Sequence, residues 1–305
     1  MSRNLLVSVA IVTWNRSAEV LRAIESVYKQ SYRSIEIVVA DSASSDNTVE
    51  KIKKQYPEVK IIQLHRNMGC PEGRNIAFAN CSGEIIFSLD DDAWIAPATL
   101  NYCLDKFKQD SSLGVVTCNV VEPNNDLIKN EKDFYCNCFQ GCAFAIKRKV
   151  LNEVGYFPSD YFRQGEETDL SLRIIDKGYS MIFCKNAIIY HERSIVNRND
   201  KLFMFYSTRN DLYTIIKRYP LYLIPFAILW KIIIWNLAGI RKNSLHFTLL
   251  GSMSALLLFP KIIYKREPVS LNTIKKFVFS RRKILFNSID RINTHKNIFT
   301  NKRNR

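Results

Sequence analysis

Over the first 120 residues, apolar runs of strand length alternate with stretches of helical pattern. The runs are rich in β-branched residues and almost continuously apolar, which is typical of strands buried on both faces. Such alternation predicts an α/β fold with a doubly wound, mostly parallel central sheet. The predicted strands are residues 7–13, 35–40, 59–64, 84–89 and 113–121, and the predicted helices between them are residues 18–29, 47–55, 71–79 and 97–109.

Polar residues follow each of the first four predicted strands. Sheets of this type bind ligands outside the carboxyl ends of their strands, so we expect these four loops to form one site. The sequence has no G-x-G-x-x-G loop, which argues against an ordinary nicotinamide or flavin site. The loops are residues 13–16 (Thr-Trp-Asn-Arg), 41–46 (Asp-Ser-Ala-Ser-Ser-Asp), 65–69 (His-Arg-Asn-Met-Gly) and 90–92 (Asp-Asp-Asp).

Three adjacent aspartates, Asp90, Asp91 and Asp92, form the last of these loops. Adjacent carboxylates repel one another unless a cation joins them, and Mg2+ or Mn2+ prefers carboxylate oxygens while leaving positions open for substrate phosphates. The alternative is an acidic, solvated turn after a strand. Because Arg16 and Arg74 add positive charge, the pattern favours a site for a metal-bound nucleoside diphosphate.

A second acidic cluster, Glu166, Glu167 and Asp169, opens a helical pattern that ends at Gly178. Acids in a first helical turn are commonly partners of the helix dipole. The alternative is that one of them is a general base beside the metal site. Farther along, His191 ends another apolar strand, where a histidine is either structural or a metal ligand.

These stretches resemble glycosyltransferase family 2, the inverting, nucleotide-sugar-dependent enzymes of the GT-A fold. The sequence is similar to bacterial transferases of the rhamnosyl- and galactosyl-transferring type, which build surface polysaccharides. The resemblance covers about residues 6–215 and rests on five motifs in the expected order, at residues 9–16, 38–48, 67–75, 89–93 and 165–173.

The resemblance implies a role for each motif. Asp41 would hydrogen-bond the base of a UDP- or dTDP-type donor, and Asp92 would be the direct ligand of Mn2+ or Mg2+. Glu167 would be the catalytic base, with Asp169 as the alternative, since the family commonly has Glu-Asp-x-Asp where this chain has Glu-Glu-Thr-Asp. The implied nucleotide contacts are Thr13, Asn15, Arg16, Asp41, Asn67, Gly69 and Arg74, and the implied metal ligands are Asp90, Asp92 and His191.

The C-terminal third contains two apolar runs, residues 219–235 and 245–260. Each is shorter than the roughly 20 apolar residues that span a bilayer. We therefore expect helices that lie in the membrane interface, with Tyr222, Trp230 and Trp235 at headgroup depth. A buried helical hairpin is the alternative. The predicted boundaries are a GT-A domain at 1–218, a membrane-associating region at 219–264 and a basic tail at 265–305.

Most of the positive charge lies at the C-terminus. Residues 261–305 hold thirteen Lys or Arg and two acids, so this segment carries +11 of the formal net charge of +15. Basic residues interleaved with apolar ones suit an anionic membrane surface better than nucleic acid. We expect a peripheral or monotopic protein on the cytoplasmic face of the cell membrane.

Together these observations predict an inverting, metal-dependent glycosyltransferase of cell-surface polysaccharide synthesis. It would move a sugar from a nucleoside-diphosphate sugar to a hydroxyl of a glycan acceptor that is lipid-linked. One alternative is a polyprenyl-phosphate glycosyltransferase, whose ionised acceptor needs no base. Another is a catalytically dead, membrane-bound nucleotide-binding protein.

Overall fold

A computed structural model describes residues 5–122, 132–192 and 199–279. Within these residues, nine strands form one sheet in the order β3-β2-β1-β4-β8-β6-β9-β5, and β7 pairs with β9. The strands are β1 Val7–Thr13, β2 Ile35–Asp41, β3 Lys60–Gln63, β4 Ile85–Asp90, β5 Ala93–Ile95, β6 Leu113–Val121, β7 Phe134–Cys136, β8 Ala143–Lys147 and β9 Ser180–His191.

Helices cover both faces of the sheet and continue beyond it. The first four are close to their predicted positions; the second is preceded by Asp46, whose carboxylate accepts from the Thr48 amide at 3.0 Å. The helices are α1 Ser17–Tyr28, α2 Thr48–Gln55, α3 Cys70–Ala79, α4 Thr99–Gln109, α5 Arg148–Val154, α6 Glu166–Asp176, α7 Asp200–Arg218, α8 Ile224–Arg241, α9 Leu245–Leu257, α10 Phe259–Ile263 and α11 Leu271–Phe279.

The predicted doubly wound α/β sheet is confirmed. Strand β1 lies between β4 and β2, β2 pairs with β3, and β6 pairs with β9, all in parallel. Strand β8, which the sequence pattern did not predict, runs antiparallel between β4 and β6. The five predicted strands therefore have the expected positions, and short antiparallel strands complete the sheet.

Side chains that alternate along each central strand fill two apolar layers. Val9 and Ile11 pack under α1 and α4, whereas Ala10 and Val38 face α3, α5 and α6. Both faces are therefore buried, which explains why these strands are continuously apolar. The loops that follow β1, β2, β3 and β4 lie at the carboxyl ends of these strands, at one edge of the packed sheet.

The C-terminal helices share a third apolar cluster with α7. Leu212 and Ile216 of α7 contact Ile224 of α8, Ala255 of α9 and Ile262 of α10. Helix α7 ends at the predicted boundary at residue 218, and the chain returns to this boundary when Val269 donates its amide to Arg218 O at 2.8 Å. The division at 218 and 264 stays a prediction, and residues 280–305 of the basic tail lie outside the described residues.

Candidate functional site

The loops after the four parallel strands meet at one edge of the sheet, as expected. The strand register places Thr13 beside Asp41 and Val12 beside Asp90. Asp41 in turn neighbours Gln63 of β3. Because the carboxyl ends of parallel strands coincide, residues that are far apart in the sequence lie together at this edge.

A candidate metal centre lies at the end of β4. One ligand atom from each of Asp90, Asp92 and His191 can be chosen so that all three lie within 4.8 Å of one another. The antiparallel pairing of β5 with β9 sets Ala93 opposite His191, and this brings the His191 Nε2 atom to 3.1 Å from Asp92 Oδ1. Two carboxylates and one imidazole form a donor set that fits Mn2+ and also suits Mg2+ through its oxygens.

The protein itself supplies cations to this acidic loop. Arg16 Nη1 lies 2.8 Å from Asp91 Oδ1 and 3.4 Å from Asp92 Oδ2, and Arg74 Nη2 lies 2.6 Å from Asp90 Oδ1. Burial raises the pKa of Asp91 to about 7, although the Arg16 charge acts in the opposite direction. The negative charge of the three adjacent aspartates is therefore compensated in part by Arg16 and Arg74, and a metal is not its only possible partner.

Two unbonded buried oxygens lie at the end of β1 and β2. Asp41 Oδ1 and Thr13 Oγ1 are buried and have no hydrogen-bond partner, whereas Asp41 Oδ2 accepts from the Ser44 amide at 3.1 Å. A buried polar atom without a partner is costly, and a ligand that brings an N–H or O–H group would remove that cost. These oxygens fit the predicted contact with a nucleotide base.

Other residues that were predicted to contact the nucleotide shape the loops at this edge of the sheet. Asn15 has a φ of 53°, and its Oδ1 accepts from the Ser45 amide at 2.7 Å. Asn67 Oδ1 accepts from the Gly69 amide at 2.9 Å. Gly69 has a φ of 85°, and a β-carbon there would overlap the carbonyl of Phe162. Backbone conformation and close approach therefore explain Gly69, and direct nucleotide contacts by these residues stay predictions.

Arg74 connects Asp90 of the candidate metal centre with Glu166 of the second acidic cluster. Its Nη1 lies 3.0 Å from Glu166 Oε1, and its Nη2 donates both to Asp90 and to Gly141 O at 2.8 Å. The Arg74 side chain is buried, so it acts as an internal bridge in this structure. Its predicted contact with a diphosphate stays a prediction.

The acids at the start of α6 have three different environments. Glu166 is buried; burial, followed by the charge of Glu167, acts to raise its pKa, and the charge of Arg74 acts in the opposite direction. Glu167 is partly exposed, and its Oε1 lies so close to Gly141 that a β-carbon at residue 141 would overlap it. Among these three acids, Glu166 and Asp169 are buried and Glu167 is partly exposed.

Asp169 is completely buried between two arginines. Its Oδ2 accepts from Arg173 Nε at 2.9 Å, and its Oδ1 accepts from Arg218 Nε at 2.7 Å. Burial acts to raise its pKa, but Arg173 and Arg218 outweigh it and hold the pKa of Asp169 below the ordinary value. An ionised carboxylate with both oxygens bound to guanidinium groups is suited to holding α6 on α7.

Comparison with known proteins identifies the family. The family description "Glycosyl transferase family 2" matches residues 8–185, more than half of the chain. The chain belongs to glycosyltransferase family 2. The resemblance seen in the sequence is thereby confirmed, and the matched region contains the candidate metal residues Asp90 and Asp92 and both candidate bases.

The chain is also similar to individual proteins named as a synthase and as a glucosyltransferase. Chondroitin synthase of Escherichia coli is 32% identical over 135 residues, which are 43% of this chain and 20% of that protein. The GalNAc(5)-diNAcBac-PP-undecaprenol beta-1,3-glucosyltransferase of Campylobacter jejuni is 27% identical over 180 residues, 53% of this chain and 57% of that protein. The chain thus spans less than two thirds of either relative.

A solved structure confirms the fold over almost the whole chain. The mannosyltransferase PcManGT from Pyrobaculum calidifontis, in complex with GDP-Man and Mn2+, has a TM-score of 0.58 at 19% identity and covers 92% of this chain and 89% of its own. The predicted GT-A class is therefore confirmed for this member of glycosyltransferase family 2.

The roles of two residues of the site are not predicted by the sequence. Glu166, which in the sequence is one of a run of acids, is the buried partner of Arg74. The carbonyl of Gly141 binds Arg74, and its missing side chain makes room for Glu167. The Gln-Gly-Cys sequence gives no signal for either role, because the contacts come from segments that lie far from it along the chain.

Proposed function

We propose that this family 2 member is an inverting glycosyltransferase that uses a nucleoside-diphosphate sugar and a divalent metal. The observation that carries the proposal is the meeting of Asp90, Asp92 and His191 at the carboxyl edge of the sheet. The Mn2+ and nucleotide sugar named for PcManGT support this composition of the site. When bound, the metal supplies positive charge that stabilises the departing diphosphate.

The protein's own residues bind the donor and hold the proton acceptor. Asp41 Oδ1 and Thr13 Oγ1, both buried and unbonded, accept hydrogen bonds from the nucleotide, which is of UDP or dTDP type. Glu167 takes the proton of the acceptor hydroxyl while that oxygen forms a bond to the anomeric carbon. The bond from this carbon to the diphosphate breaks on the opposite face, so the configuration inverts. A positioned base typically contributes about 10²- to 10⁴-fold in rate.

Of the two candidate bases, the contacts favour Glu167. Asp169 has no exposed surface and is bound by Arg173 and Arg218, so it cannot reach an acceptor without breaking both ion pairs. Glu167 is partly exposed beside Gly141. We therefore assign the base to Glu167 and a structural role to Asp169.

The C-terminal helices carry an exposed apolar face that suits a membrane. The helical segment Leu221–Arg241 is longer than the apolar run 219–235 seen in the sequence, so the expectation that it is too short to span a bilayer is wrong. The most apolar 18 of its 21 residues have a mean hydropathy of 1.9, and 22% of these 18 are buried. This face, called the apolar face below, is formed by large apolar side chains that remain exposed on both helices. It consists of Phe226, Leu229, Trp230, Ile233, Leu237 and Ile240 of α8 and Leu249, Leu250, Met253, Leu256 and Leu257 of α9.

The inner side of α8 packs on α7, and two of its side chains are bound there by Asp211. Lys231, the one charged residue of the run 219–235, lies 2.8 Å from Asp211 Oδ2, and Trp235 Nε1 donates to the same oxygen at 3.0 Å. The expectation that Trp235 lies at headgroup depth is therefore wrong, because Trp235 is buried against α7. Tyr222 and Trp230 remain exposed. A helix held on one side and apolar on the other supports attachment in the plane of the interface.

We propose that this face attaches the protein to the cytoplasmic face of an anionic cell membrane, where the acceptor is a lipid-linked glycan of surface polysaccharide synthesis. The diphosphoundecaprenol in the name of the Campylobacter jejuni relative supports a lipid-linked acceptor. Arg241 and Lys242, at the α8–α9 turn, are exposed and suit anionic headgroups.

Calorimetry tests the donor and metal assignment. UDP and dTDP are titrated into the full-length protein with Mn2+, with Mg2+ and with EDTA. We expect binding that requires a metal and that Asp92→Asn abolishes or weakens at least tenfold, whereas Asp105→Asn, an exposed carboxylate on α4, leaves it unchanged. Equal affinity in EDTA would overturn the metal assignment. Mass spectrometry of products from a panel of nucleotide sugars then identifies the donor.

A further inference from the structure

Arg209 of α7 differs from Arg74, Arg173 and Arg218 in the charge of its partners. Arg74, Arg173 and Arg218 each form ion pairs with carboxylates. Arg209 Nε donates to Asn210 Oδ1 at 2.9 Å and its Nη2 donates to Asp160 O at 3.2 Å, and both acceptors are neutral. Among the residues that the structure describes, no carboxylate forms an ion pair with Arg209.

Aromatic rings hold the Arg209 guanidinium in place. Its central carbon lies 4.8 Å from the ring centre of Tyr206, 5.1 Å from that of Tyr213 and 5.7 Å from that of Phe205. The Asp160 carboxylate, whose backbone carbonyl binds Arg209, is engaged by Lys217 at 2.6 Å. Asp211, two positions along the chain from Arg209, is engaged by Lys231 at 2.8 Å. The result is a fixed, partly exposed positive charge whose remaining N–H donors can bind an anion.

On one side, Arg209 adjoins the segment that leads into the base helix. Its neighbour Asn210 donates to Arg163 O and Gln164 O, both at 2.7 Å. A β-carbon on Gly165 would lie 3.3 Å from that of Asn210, and Glu166 and Glu167 follow Gly165 directly. Arg209 is therefore connected through Asn210 to the segment that precedes α6.

On its other side, Arg209 adjoins α9. A β-carbon at Gly251 would overlap the Phe205 carbonyl and lie 3.4 Å from the Arg209 amide nitrogen, so α7 and α9 touch at this point. Leu250 and Met253, which flank Gly251 in the sequence, belong to the apolar face. Arg209 thus lies between the proposed catalytic base and the proposed membrane surface.

We propose that Arg209 binds the phosphate group of an isoprenoid-diphosphate-linked acceptor. This proposal rests on the proposed function. A lipid-linked glycan must place its hydroxyl at Glu167 while its hydrocarbon stays in the bilayer, so its diphosphate passes between the two. A guanidinium offers planar, paired donors to phosphate oxygens, and a charge-assisted hydrogen bond of this kind is among the stronger ones.

The test uses farnesyl diphosphate as a soluble isoprenoid diphosphate and full-length protein in neutral detergent with EDTA. Without metal and donor, binding does not depend on the metal site, so this result is separate from the UDP titration. We expect wild-type protein to bind farnesyl diphosphate clearly more tightly than farnesol. Arg209→Gln should weaken that binding about tenfold or more, as loss of a charged hydrogen bond implies. The affinity of Arg209→Lys should lie between those of wild type and Arg209→Gln, because lysine keeps the positive charge but lacks the planar, paired donors of a guanidinium.

The matched control is Lys201→Gln, which removes a cation from the same helix near Phe247. It should leave farnesyl diphosphate binding unchanged. The proposal is overturned if Arg209→Gln binds farnesyl diphosphate like wild type, or if Lys201→Gln weakens that binding as much as Arg209→Gln does. If Arg209→Gln weakens binding to phosphatidylglycerol vesicles by the same factor as binding to farnesyl diphosphate, Arg209 is assigned to lipid headgroups instead. Should Arg209→Gln not fold, equal affinity of wild type for farnesol and farnesyl diphosphate decides against the site.

Discussion

Arg74 and Glu166 form a buried ion pair of 3.0 Å, in which each side chain is only 5% exposed. The same guanidinium also binds Asp90 at 2.6 Å, so one residue of α3 connects the candidate metal loop to the helix that carries the candidate base. The two acidic clusters are therefore parts of one site. Their relative position depends on a side chain that never has to leave the protein interior.

Removing this bridge should destabilise the protein strongly. Arg74→Met leaves Glu166 and Asp90 without their cation, and loss of one partner of a buried pair typically costs about 3–5 kcal/mol. Denaturant unfolding of the full-length protein measures the change. Lys29→Met is the control, because its pair with Glu25 is exposed and should contribute less than about 1 kcal/mol. Equal losses in both variants would contradict the bridging role.

The two candidate bases should respond differently to neutralisation. Glu167→Gln is expected to bind donor normally while transfer falls about 10²- to 10⁴-fold. Asp169→Asn should lower the free energy of unfolding, because it weakens contacts to Arg173 and Arg218, while molecules that remain folded transfer sugar at a similar rate. Turnover per folded molecule distinguishes the two. Loss of turnover in Asp169→Asn alone would exchange the roles.

Gly141→Ala should displace the Glu167 carboxylate. The new β-carbon would overlap Oε1, and the end of a glutamate side chain can move at little cost, so the fold is expected to survive. Misplacement by about 1 Å can reduce a rate about 10²-fold. We expect lower turnover with unchanged UDP affinity. The double variant Gly141→Ala, Glu167→Asp shortens the side chain and should recover part of the activity; no loss in Gly141→Ala would mean that this position does not place the base.

Acid should remove the contribution of Asp169 to stability. An unfolded aspartate has a pKa of about 3.9, and the folded pKa of Asp169 lies below its ordinary value. The stabilisation is therefore complete above about pH 4 and is lost as the pH falls through the folded pKa. Urea unfolding between pH 6 and pH 3 should show a shallower acid loss for Asp169→Asn than for wild type. Parallel curves would show that this carboxylate has the same pKa in both states.

Membrane attachment should depend on the apolar face. Replacing Phe226, Leu229 and Trp230 by serine removes three large exposed side chains, each worth about 1.5–3 kcal/mol when fully buried. Co-sedimentation with phosphatidylglycerol vesicles should fall at least tenfold. Tyr102→Ser, which changes an exposed aromatic residue on α4, is the control. Unchanged binding of the triple variant would place the membrane contact elsewhere.

The fold class, and the edge of the sheet at which the candidate site lies, can be predicted from the sequence alone. Continuous apolar runs of strand length, each followed by polar residues, are enough to place residues 13–16, 41–46 and 90–92 together, because the carboxyl ends of parallel strands coincide. Local pattern carries this information, since a continuous apolar run indicates a strand that is buried on both faces.

Which charged residues form ion pairs depends on the tertiary structure and cannot be predicted from the sequence pattern. Arg74 reaches Glu166 across 92 positions of the sequence, Arg218 reaches Asp169 across 49, and Lys231 turns inward to Asp211. These pairs depend on how α3, α6, α7 and α8 dock, which is set by apolar packing and leaves no periodic mark on the charged residues themselves. For the same reason, one acidic run contains a partly exposed Glu167 and a completely buried Asp169.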